Sequence, residues 1–278
     1  MGTIIFSQKE KDDLMVHPIT HDIQWPNKIH KPAGGGKMLS LALSFSKLST
    51  YQQCPRRFYE QHLTHNIPYT DSPATLWGTR VHDAHENYLL KRMPMDAEVL
   101  KRIGTGYADK INEKYQTLVA ENRVGVPLYG EQEWAIKANG QLASWFDTHG
   151  VFMRGKADVG MASLKKVYQY DYKTGKANYP KTDQLDLLAL MAKAQPTMAH
   201  YEVFDSALIF LEAGVIKPHT TNLAGEQHEI QMRKFIRESL RVIDSYERDY
   251  WPERDGPLCA YCPVLSCPFN RTEEATNQ

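Results

Sequence analysis

The chain has 278 residues, with 33 basic and 33 acidic side chains and no formal net charge. It is 42% hydrophobic and 24% charged, an ordinary globular balance over a length that suits one large domain or two small ones. Zero net charge excludes a binder of nucleic acid that works by bulk positive charge, so any such surface must come from local segregation of charge. No apolar run approaches the roughly 20 residues that span a bilayer. Met1–Lys11 lacks the apolar core of a signal peptide, so a cytoplasmic protein without a membrane partner is expected.

Residues 1–37 are polar and irregular, with Pro18, Pro26, Pro32 and the run Gly34-Gly35-Gly36, and read as a flexible N-terminal arm. A helix is expected from Ser44 or Ser46, either of which can serve as its N-cap. A second helix is expected over Thr75–Lys91 and a third over Asp96–Glu121. Leu128–Lys173 alternates and is rich in β-formers, which predicts three or four strands. A helix over Thr182–Ala194, a strand over Tyr201–Leu211 and a long amphipathic helix over Gly225–Tyr250 follow. Beyond Pro252 the chain is rich in Pro and Cys, and residues 271–278 form a polar tail. This order predicts an α/β core with a mixed sheet over residues 38–270.

Asp171 and Lys173 are two apart on an expected strand, so they share a face. Asp158 ends the strand before it. Two carboxylates beside a lysine suit a hard divalent ion, Mg²⁺ or Mn²⁺, and a metal-bound water that attacks phosphorus. His82, in Gly78-Thr79-Arg80-Val81-His82, is the candidate third ligand. Gln184 follows closely on the next helix and can face the substrate backbone. Glu131 and Glu133 lie before Asp158; one of them could extend the acidic site, though surface placement is the expectation for both. Arg56, Arg57, Arg80, Lys156 and Lys176 lie near these motifs and could meet phosphates. Tyr51, Phe58, Tyr59 and Trp77 could stack on bases, with core packing the expectation for most.

The chain has four cysteines. Cys259, Cys262 and Cys267 are spaced C-x2-C-x4-C, and Cys54 lies some 200 residues upstream. Disulfides are rare in the cytoplasm. Four thiols with none left over fit a four-coordinate zinc ion or an iron–sulfur cluster, and spacing alone does not separate the two. Either would join the first helix to the C-terminal segment.

Taken in order, these motifs resemble the PD-(D/E)XK nuclease superfamily. The nearest likeness is to its RecB-like branch, and within it to CRISPR-associated and phage exonucleases with a C-terminal iron–sulfur cluster. Ser44–Tyr51 with Cys54-Pro55-Arg56-Arg57-Phe58 resembles the opening helix and first cluster cysteine. Gly78–His82 resembles the histidine helix, and Gly155-Lys156-Ala157-Asp158 the "PD" element with Ala157 in place of proline. Asp171-Tyr172-Lys173 resembles the "(D/E)XK" element and Gln184-Leu185 the glutamine motif, with Leu188 where a tyrosine often stands. The resemblance implies a restriction-endonuclease-like core closed by a cysteine-bound cluster clasp. It implies that His82, Asp158, Asp171 and the main-chain carbonyl of Tyr172 bind Mg²⁺ or Mn²⁺, that Lys173 assists the water, and that Gln184 places DNA or the lysine. It implies a [4Fe–4S] cluster rather than zinc on the four cysteines. The expected activity is a DNA exonuclease or end-processing nuclease on single-stranded or open-ended DNA, in a bacterial or phage-infected cell, with a recombination or replication protein as a possible partner. Two other readings are a DNA-binding accessory protein with a vestigial site and an iron–sulfur redox sensor.

Overall fold

The computed structural model describes residues 28–29, 39–40, 42–67, 71–122, 127–147 and 150–272. The expected arm and tail lie almost wholly outside these residues. Two short strands, β1 (Lys28–Ile29) and β2 (Leu39–Ser40), pair with each other. The main sheet has six strands in the order β4-β3-β5-β6-β7-β8. They are β3 (Leu128–Lys137), β4 (Leu142–Ala143), β5 (Val151–Ala162), β6 (Val167–Lys173), β7 (Val203–Phe210) and β8 (Val215–Asn222). Only β6 and β7 run parallel, so the sheet is mixed as expected.

Alternating side chains build a core on each sheet face. Phe204, Leu208 and Phe210 of β7 join one core with α1 (Phe45–Gln53), α6 (Asp183–Lys193) and α7 (Gln227–Glu247). Ala207 and Ile209 of the same strand join the other core, with α3 (Pro73–Leu90), α4 (Ala97–Arg102) and α5 (Gly106–Asn122). The fold is the α/β arrangement of a restriction-endonuclease-like core, with helices on both faces. Every residue of α6 from Leu185 to Ala192 is buried, which suits a helix lying between the sheet and α7.

Ser44 caps α1, its hydroxyl accepting from the Lys47 amide at 3.2 Å. A short helix α2 (Pro55–Phe58) and a π-helical turn (Tyr59–Leu63) follow it. The expected third helix is two: α4 and α5 are parted by Gly104, whose φ of +79° a helix cannot accommodate. Strand β8 was not expected; Pro218 stands in its middle and is tolerated because β8 is the sheet edge. Among the described residues no helix is long and apolar enough to cross a membrane.

Candidate active site

A fork in the sheet makes the site. β5 and β6 pair from Ala162–Val167 to Val159–Tyr170 and then separate. The Tyr172 amide, with no strand partner there, donates to Asp158 Oδ2 at 2.6 Å. The Lys173 carbonyl accepts from Leu211 on the β7 side. By alternation the carbonyl of Tyr172 therefore points into the fork, beside its own amide.

The strands also change phase at this point. Ala157 packs in one core and Val159 in the other, although two residues apart on a regular strand share a face. Across the ladder, Leu128 packs in one core and Trp134 and Ile136 in the other. Between them Glu131 adopts a φ of +49°, a left-handed conformation that costs a non-glycine residue on the order of 1–3 kcal/mol. The two kinks face each other and turn both carboxylates, Glu131 and Asp158, towards α3. His82 on α3 meets them: its Nδ1 lies 3.3 Å from Asp158 Oδ1 and 3.6 Å from Glu131 Oε1. Among the described residues, these three alone bring three metal-ligating atoms within 4.8 Å of one another. Glu131 thus stands in the site rather than on the surface. Spacing could not choose it over Glu133; the preceding Gly130 is the one local hint of an irregular strand.

Asp171, 2% exposed, lies on the other side of the fork. Its Oδ2 is 2.5 Å from Lys173 Nζ, and its Oδ1 accepts from Gln184 Nε2 at 2.6 Å. Lys173 Nζ in turn donates to Gln184 Oε1 at 3.0 Å. Gln184 therefore bridges the carboxylate and the lysine. His82, Asp158, Asp171, Tyr172, Lys173 and Gln184 all line one cavity of about 460 Å³, with Arg154, Lys156 and Ser44–Ser46 on its rim. Ser44 and its neighbours reach the cavity because Leu43 runs beside β5: its amide donates to Phe152 O, and its carbonyl accepts from the Arg154 amide.

Charge is concentrated here. Burial raises the Asp171 pKa to about 6, the nearby Asp158 charge adding to it and Lys173 opposing it. Burial works against an imidazolium at His82, but hydrogen bonds to Asp158 and Glu131 outweigh it and raise its pKa to about 10. The Glu131 carboxyl is held below the usual range: burial opposes this, and the His82 and Lys156 contacts prevail.

A profile of the PD-(D/E)XK nuclease superfamily matches residues 42–267. The chain belongs to that superfamily. It is a member of a nuclease family whose substrate is DNA and whose enzymes typically use divalent metals. The profile spans the histidine helix, the fork and the cysteine segment. Two solved structures are similar to this nuclease. One is the protein SSO0001, at 14% identity over 87% of this chain and 91% of that one, with a TM-score of 0.39. The other is a candidate exonuclease from Eubacterium rectale, at 12% identity over 82% and 90%, with a TM-score of 0.42. No curated protein matches.

The remaining motif residues lie elsewhere. None of the four cysteines forms a disulfide. Cys54, where α1 meets α2, lines a second cavity of about 170 Å³ together with Cys259, Cys262 and Cys267. Tyr51 and Phe58 are buried, and Tyr59 stacks on Trp251 at 5.3 Å, so these rings are core. Trp77 donates to Glu212 at 2.7 Å and lies under Arg102. Arg56 pairs with Glu60 and Arg80 with Asp96, while Lys156 pairs with Glu131 on the site.

Proposed function

We propose that the chain is a divalent-metal-dependent deoxyribonuclease of the RecB-like branch, working on DNA ends or unpaired strands. The observation that carries this reading is the fork, which gathers Asp158, Asp171 and Lys173 with His82 in one cavity. The residues fit a hard divalent ion: His82, Glu131 and Asp158 offer a nitrogen and carboxylate oxygens within 4.8 Å. The Tyr172 carbonyl and Asp171 stand across the fork as further oxygen donors. When bound, Mg²⁺ or Mn²⁺ supplies a water acidic enough to attack phosphorus. Lys173, steered by Asp171 and Gln184, can donate to that water or to a phosphate oxygen as charge develops. Gln184 keeps the ammonium aimed at the cavity. A cavity of about 460 Å³ is of small-ligand size, which favours a single strand over a duplex at the reacting centre.

The four cysteines fit a [4Fe–4S] cluster that ties the α1–α2 junction to the C-terminal segment. A tetrahedral zinc with Zn–S bonds of about 2.3 Å would hold its sulfurs about 3.8 Å apart.

The test is cleavage of end-labelled single-stranded and open-ended DNA in Mg²⁺ or Mn²⁺. Wild type should cut, and Lys173→Ala should be inert while remaining folded. Equal inertness of both, with DNA binding retained, would instead support an accessory protein with a vestigial site. Anaerobically purified protein should carry iron and sulfide; stoichiometric zinc would overturn the cluster.

A further inference from the structure

Residues 174–182 connect the catalytic strand to the catalytic helix. They leave β6 at Lys173 and enter α6 one residue before Gln184. Thr174 and Gly175 line the reaction cavity, and Lys181 donates to Ser49 on α1, so the loop runs along the cavity mouth. Tyr179 in this loop is 92% exposed. One exposed aromatic is unremarkable in isolation. This one is followed by Pro180, which disfavours helical backbone at Tyr179, so its ring is presented with less conformational freedom to lose on binding. Lys176 and Lys181, both exposed, flank it. Arg154 and Lys156 line the same cavity. An exposed ring between cations, at the mouth of a phosphodiester site, is the combination that holds unpaired bases by stacking and their backbone by charge.

We propose that this loop is a strand guide: Tyr179 stacks on an unpaired base of the substrate while Lys176 meets a neighbouring phosphate. The inference rests on the nuclease reading and deepens it, by making an unpaired strand the substrate class. Tyr179 is five residues before Gln184, so their Cα atoms are at most about 18 Å apart.

The test separates binding from cleavage by measuring fluorescence anisotropy of labelled oligonucleotides in EDTA, and cutting in Mg²⁺. Tyr179→Ala should weaken single-strand binding on the order of ten- to hundredfold. It should leave duplex binding and the melting temperature unchanged, and Tyr179→Trp should retain affinity. An abasic substitution at one position should cost wild type the same factor and cost Tyr179→Ala nothing further. Single-strand affinity unaffected by Tyr179→Ala, an abasic loss undiminished in the variant, or no single-strand binding by wild type overturns the guide. Cutting that depends on Lys173 but not Tyr179 sinks the guide and leaves the nuclease standing. Binding that depends on Tyr179 without any cutting does the reverse.

Discussion

The proton on His82 competes directly with a metal. A ligating imidazole must be neutral, and Asp158 and Glu131 hold this one protonated up to a pH of about 10. At pH 7 that proton is about three units from leaving, which at 1.36 kcal/mol per unit sets about 4 kcal/mol against binding. The affinity for Mg²⁺ or Mn²⁺ should therefore rise about tenfold per pH unit between 7 and 9 and level off near 10. Asp171, with a pKa of about 6, is mostly ionised by pH 8 and adds little to that slope. Calorimetric titration at pH 8, in two buffers of different protonation heat, should show close to one proton released per ion. His82→Gln should bind more weakly and lose the slope. No proton release, with wild-type affinity flat in pH, would remove His82 from the ligand set. The metal-free protein should show the linked effect on stability. The folded pKa of His82 lies above its ordinary 6.5, so its stabilisation is full below 6.5 and is lost as pH rises through about 10. Melting temperatures of metal-free protein should fall over that window, and saturating metal should remove the fall.

Glu131→Gln should lower metal affinity about ten- to hundredfold in the same titration, with cutting reduced in step. Gly160→Ala places a Cβ 2.2 Å from the half-buried Tyr129 ring and should destabilise by at least about 1–3 kcal/mol in urea unfolding. Phe58→Ala removes a 1%-exposed ring that meets Tyr51 edge-on and stacks on Trp251 at 5.9 Å. It should cost about 3–5 kcal/mol by the same measurement.

The parts of the site that follow a regular period could be read from the sequence. Asp171 and Lys173 share a face because β6 keeps its alternation, and Gln184 meets both because α6 starts a short loop later. Ser44 as N-cap, the α3 helix bearing His82 and the buried face of α6 follow from the same local rules. What escaped was aperiodic. Glu131 and Glu133 are equivalent on an ideal strand, and only the left-handed turn at Glu131 separates them. Gly104 breaks a helical pattern that its neighbours continue. Pro218 forbids a central strand but not an edge strand, and edge position is a tertiary property. That the four cysteines share one cavity depends on the whole fold, since Cys54 lies some 200 residues from Cys267 in the sequence.

The seating of α1 sets an order for assembly. This helix supplies one wall of the reaction cavity, yet Tyr51 anchors it by hydrogen bonds to Arg241 O and Ser245 Oγ, the latter 194 residues later. Trp251 closes over Tyr51 and Phe58, and Arg254 donates to Gln52 O at 2.5 Å. At about 5–20 residues per second, a ribosome takes on the order of 10–40 s to supply those partners. Through that interval the nascent chain can already hold the carboxylate strands with Leu43 beside β5, but the far end of α1, at Tyr51 and Gln52, lacks its partners. The seating of α1 is therefore completed late, and a chain broken before Ser245 keeps its acidic residues without the full anchor of the helix beside them.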